Sequence, residues 1–161
     1  MEGKNYINGA FVDGTSGDRF ESRNPANFDE ILGTFPLSSE QDVNNAVSAA
    51  KTAYDGWRRL SRIKRGEHFD EFVQLLKKDR EEISRLVTKE CGKGIVEGRA
   101  DVTEGIHMVQ YTFGTVRMPH GDVVDSEIPE KDAFMRRKPK GVVAAISPWN
   151  FPFAIPLWLI C

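Results

Sequence analysis

The feature that most limits the fold is a long stretch of helical periodicity, which runs from Ser38 to Val116. Apolar residues recur there three or four positions apart, as on the buried face of an amphipathic helix. Residues 38–41 resemble a capping box, in which a hydroxyl and a Gln three residues later satisfy the first free N–H groups. The sequence therefore predicts several packed helices, which start after Ser38, after Ser61, at Asp79 and after Gly98.

Short strands are expected before these helices. The pair Asn8-Gly9 lies between apolar residues and predicts a β-hairpin, because both turn positions need positive φ. Segments Arg19–Ser22 and Ile31–Phe35 are predicted as two more short strands. The chain thus begins with β-structure and continues with helices.

The part of the chain after the helices has two different patterns. Residues 122–140 are mixed and charged, and they predict a polar hairpin with arms at Val123-Val124 and Ala133–Met135. Residues Gly141–Ile146 form a continuous apolar run, which is typical of a central parallel strand buried on both faces. The sequence therefore predicts an α/β fold in three units, residues 1–121, 122–140 and 141–161.

Composition and charge indicate few partners. The chain has 22 Lys and Arg against 24 Asp and Glu, a net charge of −2, so no polybasic surface for nucleic acid is expected. The two cysteines and three histidines are widely spaced, which indicates neither a disulfide scaffold nor a zinc site. The sequence has no secretory signal pattern, so we expect a cytoplasmic protein.

The carboxyl-terminal segment Gly141–Cys161 has no charged residue. Its length would suit a membrane span, but three prolines and Asn150 argue against one, because each leaves polar groups unsatisfied in hydrocarbon. The part from Phe151 is apolar up to the last residue, whereas chain termini are usually polar. We therefore expect a fold that is incomplete at this end and whose apolar side chains are covered by another part or another copy of the protein.

A candidate site follows the predicted buried strand. In open parallel sheets, ligands bind beyond the carboxyl ends of the strands, where Ser147–Asn150 lie. An Asn held between two prolines is a fixed neutral donor that can stabilise an oxyanion, but Asn is equally a common turn or capping residue. Likewise Trp149, Phe151 and Trp158 fit either a core or a ligand cleft.

Several segments together resemble the aldehyde dehydrogenase superfamily. The segment Pro148-Trp149-Asn150-Phe151-Pro152 is similar to the corner that follows a strand in this family. Other segments occur in the family's order along the chain: Tyr6–Gly9, Arg23–Ala26, the alanine-rich helix ending in Trp57, Glu90–Lys93, Gly141–Val143 and Pro156–Trp158. The resemblance implies a Rossmann-like parallel sheet whose first strand is residues 141–146, and an oligomerisation hairpin at 122–140.

The resemblance also implies roles for individual residues. Asn150 matches the amide that holds the aldehyde oxygen while a cysteine thiolate attacks the carbonyl carbon. Residues Ile146, Ser147, Pro148 and Trp149 match the segment that lies against the nicotinamide of NAD or NADP. Phe151 and Trp158 match aromatic residues that line the aldehyde tunnel. The family converts an aldehyde to a carboxylate by hydride transfer and thioester hydrolysis.

The family's nucleophilic cysteine and general-base glutamate have no counterpart in this sequence. Cys91 does not fit the role, because the end of a helix disfavours a thiolate. Cys161 does not fit it either, since its own carboxylate would raise the pKa of the thiol. We therefore expect an amino-terminal fragment of an NAD(P)-dependent aldehyde dehydrogenase that is inactive alone. The alternative is a non-enzymatic assembly module of the same family; the sequence identifies neither the aldehyde nor the preferred dinucleotide.

Overall fold

The computed structural model describes residues 1–161 and has the mixed α/β class that the sequence predicts. The strands are β1 (Asn5–Ile7), β2 (Ala10–Val12), β3 (Arg19–Asn24), β4 (Asn27–Pro36), β5 (Gly121–Val124) and β6 (Ala133–Arg136). The helices are α1 (Glu40–Arg59), α2 (Arg62–Lys78), α3 (Arg80–Cys91), α4 (Ile95–Thr115) and α5 (Ala154–Ile160).

The strands form three separate antiparallel hairpins, β1–β2, β3–β4 and β5–β6. The first hairpin is confirmed at the predicted turn, where Asn8 and Gly9 have φ of 52° and 80°. Strand β4 is longer than the predicted Ile31–Phe35, because β3 pairs with it from Arg19 opposite Pro36 to Asn24 opposite Asn27. The polar hairpin is formed by β5 and β6.

The predicted buried strand at residues 141–146 is wrong for this chain. These residues belong to no strand, and the side chains of Val143 and Ile146 are 68% and 91% exposed. A strand is stabilised by hydrogen bonds to a neighbouring strand, and this chain places none beside residues 141–146. The segment therefore presents an apolar surface that the chain itself does not cover.

The start of α1 is fixed by Ser39 and Asp42, one residue later than the predicted capping box. The Asp42 carboxylate accepts hydrogen bonds from the backbone N–H of Ser39 at 2.7 Å and of Thr15 at 3.0 Å. These hydrogen bonds lower the pKa of Asp42, and the bond from Ser39 has the largest effect. The carboxylate thus ties the loop before β3 to the first turn of α1.

The other predicted helix boundaries vary in accuracy. Ser61 caps α2 as predicted, its hydroxyl accepting from the N–H of Lys64 at 3.1 Å. Asp79 does separate two helices, but its side chain makes no capping bond. Helix α4 starts at Ile95 and not after Gly98, because the Glu97 carboxylate accepts from the N–H of Gly94 and caps the earlier turn.

The core lies among α2, α3, α4 and α5, and α4 is at its centre. Two apolar residues of α4, Val102 and Val109, are completely buried. The cluster also contains Val73, Leu76, Val87, Ile106 and Leu157.

The apolar face predicted for α1 is not buried, since Val43 and Trp57 are 57% and 45% exposed. None of the helices is both long enough and apolar enough to cross a bilayer.

Candidate functional site

The segment that follows residues 141–146 turns sharply and enters α5, and a cleft of about 430 Å³ lies on one side of this corner. The other side of the cleft is formed by the end of α3, the loop after it and the first turns of α4. The lining residues are Cys91, Lys93, Glu97, Ala100, Trp149, Asn150 and Phe151. The chain folds so that residues far apart in sequence meet at the candidate site.

Lys93, in the loop between α3 and α4, makes two contacts with the corner and one with α4. Its ammonium group donates to the backbone carbonyl of Asn150 at 2.8 Å and lies 3.6 Å from the Asp101 carboxylate. It also lies 4.9 Å from the centre of the Phe151 ring, a cation–π distance. Because the Lys93 side chain is only 15% exposed, these contacts are poorly screened by solvent. Lys93 therefore fixes the backbone of the corner.

Asp101 holds the other end of the same corner. It is completely buried on α4, and its Oδ1 accepts a hydrogen bond from the backbone N–H of Ala154 at 2.9 Å. The residue before α5, Phe153, provides no side-chain cap. Asp101 thus satisfies an N–H at the start of α5 from a neighbouring helix. Its second oxygen has no hydrogen bond and faces the Lys93 ammonium.

Asn150 lies between these two attachments. Its side chain is exposed on the cleft and makes no hydrogen bond within the chain, whereas its carbonyl is held by Lys93. The side-chain amide is a neutral hydrogen-bond donor that faces the cleft from a fixed backbone position. The arrangement can therefore stabilise negative charge on a substrate oxygen.

The structure brings together three of the predicted site residues, Trp149, Asn150 and Phe151. The other four, Ile146, Ser147, Pro148 and Trp158, do not line the cleft. Trp149 is 84% exposed and available to a ligand. Trp158 lies on α5 and is about half exposed. The ligand contacts of all seven residues stay predictions.

Cys91 is placed as a structural residue. Its thiol donates a hydrogen bond to the Trp149 carbonyl at 3.5 Å. Burial has the largest effect on this thiol and raises its pKa. The carboxylates of Asp101 and Glu90 also raise the pKa, whereas the Lys93 ammonium lowers it. The next residue, Gly92, ends α3 with a φ of 65° and packs on Pro25. Burial also raises the pKa of the Cys161 thiol. Neither cysteine has the lowered pKa of an activated nucleophile.

Lys93 and Asp101 are two residues of the site that the sequence patterns did not predict. Asp101 stands beside Val102 in the apolar stripe of a helix, and a carboxylate in such a position needs a partner when it is buried. That pattern was a usable signal for a buried polar contact. The partners themselves, Lys93 and Ala154, are determined by how α4 packs and could not be read from spacing.

This sequence is similar to a known protein family over almost its whole length. The sequence model of the aldehyde dehydrogenase family matches residues 11–161. The alpha-ketoglutaric semialdehyde dehydrogenase of Bacillus subtilis is 38% identical over 154 residues, which are 96% of this chain and 32% of that protein. The chain thus spans about a third of the length of the curated relatives that it matches.

Two solved structures show the same architecture. A variant of betaine aldehyde dehydrogenase from Staphylococcus aureus, in complex with NAD+, has a TM-score of 0.91 at 28% identity, and the match covers 99% of this chain and 32% of that one. An NADP-dependent enzyme of E. coli has a TM-score of 0.89 at 28% identity, with 98% and 32% covered. The matched residues correspond to the amino-terminal part of the aldehyde dehydrogenase fold.

Proposed function

Because the chain belongs to the aldehyde dehydrogenase family, we propose that it supplies the oxyanion donor, Asn150, for the NAD(P)-dependent oxidation of an aldehyde to a carboxylate. The observation that carries this proposal is an unpaired amide on the cleft whose backbone is fixed by Lys93. The amide N–H donates to the aldehyde oxygen and stabilises the charge that develops when the carbonyl carbon is attacked. Phe151 and Trp158 form part of the apolar path of the aldehyde.

The segment before Asn150 suits a nicotinamide dinucleotide. Ile146 and Trp149 are 91% and 84% exposed, and together with Ser147 and Pro148 they form a surface that a planar ring can cover. NAD or NADP, when bound, supplies the acceptor for the hydride. The segment's own part is to hold this ring beside Asn150 and to exclude water from it.

The chain alone is proposed to be inactive. Its two thiols have raised pKa values, and the cleft contains no His that could activate one of them. The nucleophile and the general base come from the part of the enzyme that corresponds to the rest of its relatives' length. Two free thiols also fit a reducing compartment, and a cytoplasmic location is part of the proposal.

A chimeric enzyme tests the role of Asn150. This chain replaces the matching segment of the Bacillus subtilis relative, and the product is assayed for NAD(P)-dependent oxidation of semialdehydes. Replacing Asn150 with alanine is expected to lower kcat by about 100- to 1000-fold, because one oxyanion donor is lost. KM is expected to change much less, since the donor acts mainly in the transition state.

Asn44→Ala is the matched control, because Asn44 is an exposed residue of α1 without side-chain hydrogen bonds. It should leave kcat unchanged. An Asn150→Ala chimera that retains kcat within about twofold of the unsubstituted chimera would exclude the oxyanion role.

A second candidate function, self-association, is favoured by the β5–β6 hairpin. This hairpin belongs to no larger sheet, and its directly paired residues Val123 and Phe134 are 86% and 75% exposed. A two-stranded hairpin is marginal by itself, and its free edges can pair with another chain. We infer that two copies of the chain associate through the hairpin, which makes the protein a homo-oligomer.

Light scattering at several concentrations tests this association. The unsubstituted chain is expected to be a dimer or larger. The double variant Val123→Lys/Phe134→Lys is expected to be a monomer, because association would bury two lysine charges between the hairpins of the two copies. Val96→Lys, at a 75% exposed position of α4, is the control and should not change the mass. A monomeric unsubstituted chain would contradict the proposal.

A further inference from the structure

A second cleft, of about 680 Å³, lies between the α1–α2 corner and the segment after β6. We propose that it binds a phosphate-bearing small molecule, and we name it the cationic cleft. Its positive residues are Arg58, Arg59, Arg62 and Arg65 on one side and Arg136, Arg137 and Lys138 on the other, and no carboxylate lines it. Folding thus brings together two basic segments of a chain whose net charge is −2, whereas the expectation that the chain does not bind nucleic acid stays a prediction.

Three of these arginines are held in place by the chain. Arg62 donates to the carbonyls of Thr115 at 2.9 Å and Met118 at 3.0 Å, and Arg65 donates to the carbonyl of Leu60 at 2.7 Å. Arg58 is fixed by the carboxylate of Asp55, also at 2.7 Å. Carbonyls do not neutralise a guanidinium, so Arg62 and Arg65 keep their full charge next to the cleft.

The other four cations of the cleft are exposed and have no partner within the chain. Arg59, Arg136, Arg137 and Lys138 form neither an ion pair nor a side-chain hydrogen bond. Like charges gathered in a concave site repel one another and focus a positive potential. An anion relieves this repulsion, and the planar fork of arginine fits two phosphate oxygens at once.

The start of α2 adds a second and independent feature that favours an anion. Its first turn contains no acidic residue, and the N–H groups of Arg62 and Ile63 have no acceptor in the chain, because Ser61 bonds only to Lys64 and Arg65. A helix start carries partial positive charge, so cations there are unfavourable by themselves. Bound phosphate oxygens would compensate both the free N–H groups and the added charge.

The size and the remaining lining of the cationic cleft fit a small ligand. His120 lines the cleft, although its buried Nδ1 is not accessible to a ligand. The volume of the cleft lies in the range of small-molecule sites. Tyr54 and Trp57 also line it and provide flat apolar surface. These features fit a compact phosphate ester or pyrophosphate better than an extended polymer.

Calorimetric titration of the full chain with inorganic pyrophosphate tests the proposal. We expect the unsubstituted chain to bind pyrophosphate at one saturable site. The double variant Arg59→Gln/Arg136→Gln is expected to bind it at least tenfold more weakly, because two charge-assisted contacts are lost. Arg59→Lys/Arg136→Lys keeps the charges and is expected to retain most of the binding. Lys51→Gln/Lys77→Gln removes two exposed charges from outside the cleft and should leave the affinity within about twofold. Circular dichroism checks that each variant keeps its helices.

Three results would overturn the proposal. The first is no saturable binding at millimolar pyrophosphate, and the second is equal weakening in the Lys51→Gln/Lys77→Gln control. The third is an oligonucleotide that binds far more tightly than pyrophosphate with the same dependence on Arg59 and Arg136, since this would assign the cleft to a macromolecule. Because the cationic cleft shares no residue with the Asn150 cleft, these outcomes are independent of the proposed dehydrogenase role.

Discussion

Replacing Asp101 with alanine is expected to lower the free energy of unfolding by about 3–5 kcal/mol, the usual cost of removing one partner of a buried ion pair. The substitution leaves the mostly buried ammonium of Lys93 without its carboxylate and the N–H of Ala154 without an acceptor. It also loosens the attachment of α5 to α4. Denaturant unfolding of the purified chain, followed by circular dichroism, measures the change.

Two further substitutions separate the ion pair from a general loss of structure. Asp79→Ala also removes an Asp at a helix start, but this side chain makes no capping bond, so the expected loss is below about 1 kcal/mol. Lys93→Met added to Asp101→Ala should recover part of the loss, because no buried charge is then left alone. If Asp101→Ala and Asp79→Ala were equally mild, the buried pair would not hold the corner.

Gly98→Ala is expected to lower the free energy of unfolding by about 1–3 kcal/mol, although alanine favours helix formation over glycine. A Cβ at Gly98 would lie 2.6 Å from the Thr88 hydroxyl and 2.8 Å from the Ser84 carbonyl of α3. The carbonyl belongs to the backbone, so α3 and α4 would have to separate. The same unfolding experiment measures this effect.

Gly56→Ala is the matched control for this prediction. Gly56 is also inside a helix, but a Cβ there meets nothing within 4 Å. This substitution is expected to raise the free energy of unfolding by about 0.5–1 kcal/mol, because alanine loses less conformational entropy on folding. Opposite signs for the two substitutions are the expected result, and stabilisation by both would show that α3 and α4 are not in close contact at Gly98.

The local features of the fold could be predicted from the sequence because neighbouring residues determine them. The Asn8-Gly9 turn, the Ser61 cap and the end of α3 at Gly92 all follow from backbone preferences within a few positions. The capping box lies one residue later than predicted, because Ser38 and Ser39 are both suitable caps, and in the structure Ser38 bonds to Asn5 whereas Ser39 bonds to Asp42.

The features that sequence analysis missed depend on distant parts of the chain. Residues 141–146 have the composition of a buried strand, but a strand needs a neighbour, and this chain provides none. One partner of Asp101 is the backbone N–H of Ala154, which no spacing rule connects to it. Likewise the cationic cleft arises only when the α1–α2 corner meets the segment after β6. Local patterns predicted the elements, whereas packing determined the site.

The attachment of the Asn150 corner to Lys93 and Asp101 also determines which motions can reach it. Both residues belong to the helical part of the molecule, and α4, which carries Asp101, is at the centre of the core. A displacement of α4 would therefore carry Asn150 with it. The position of the amide is thus coupled to the helix at the centre of the core.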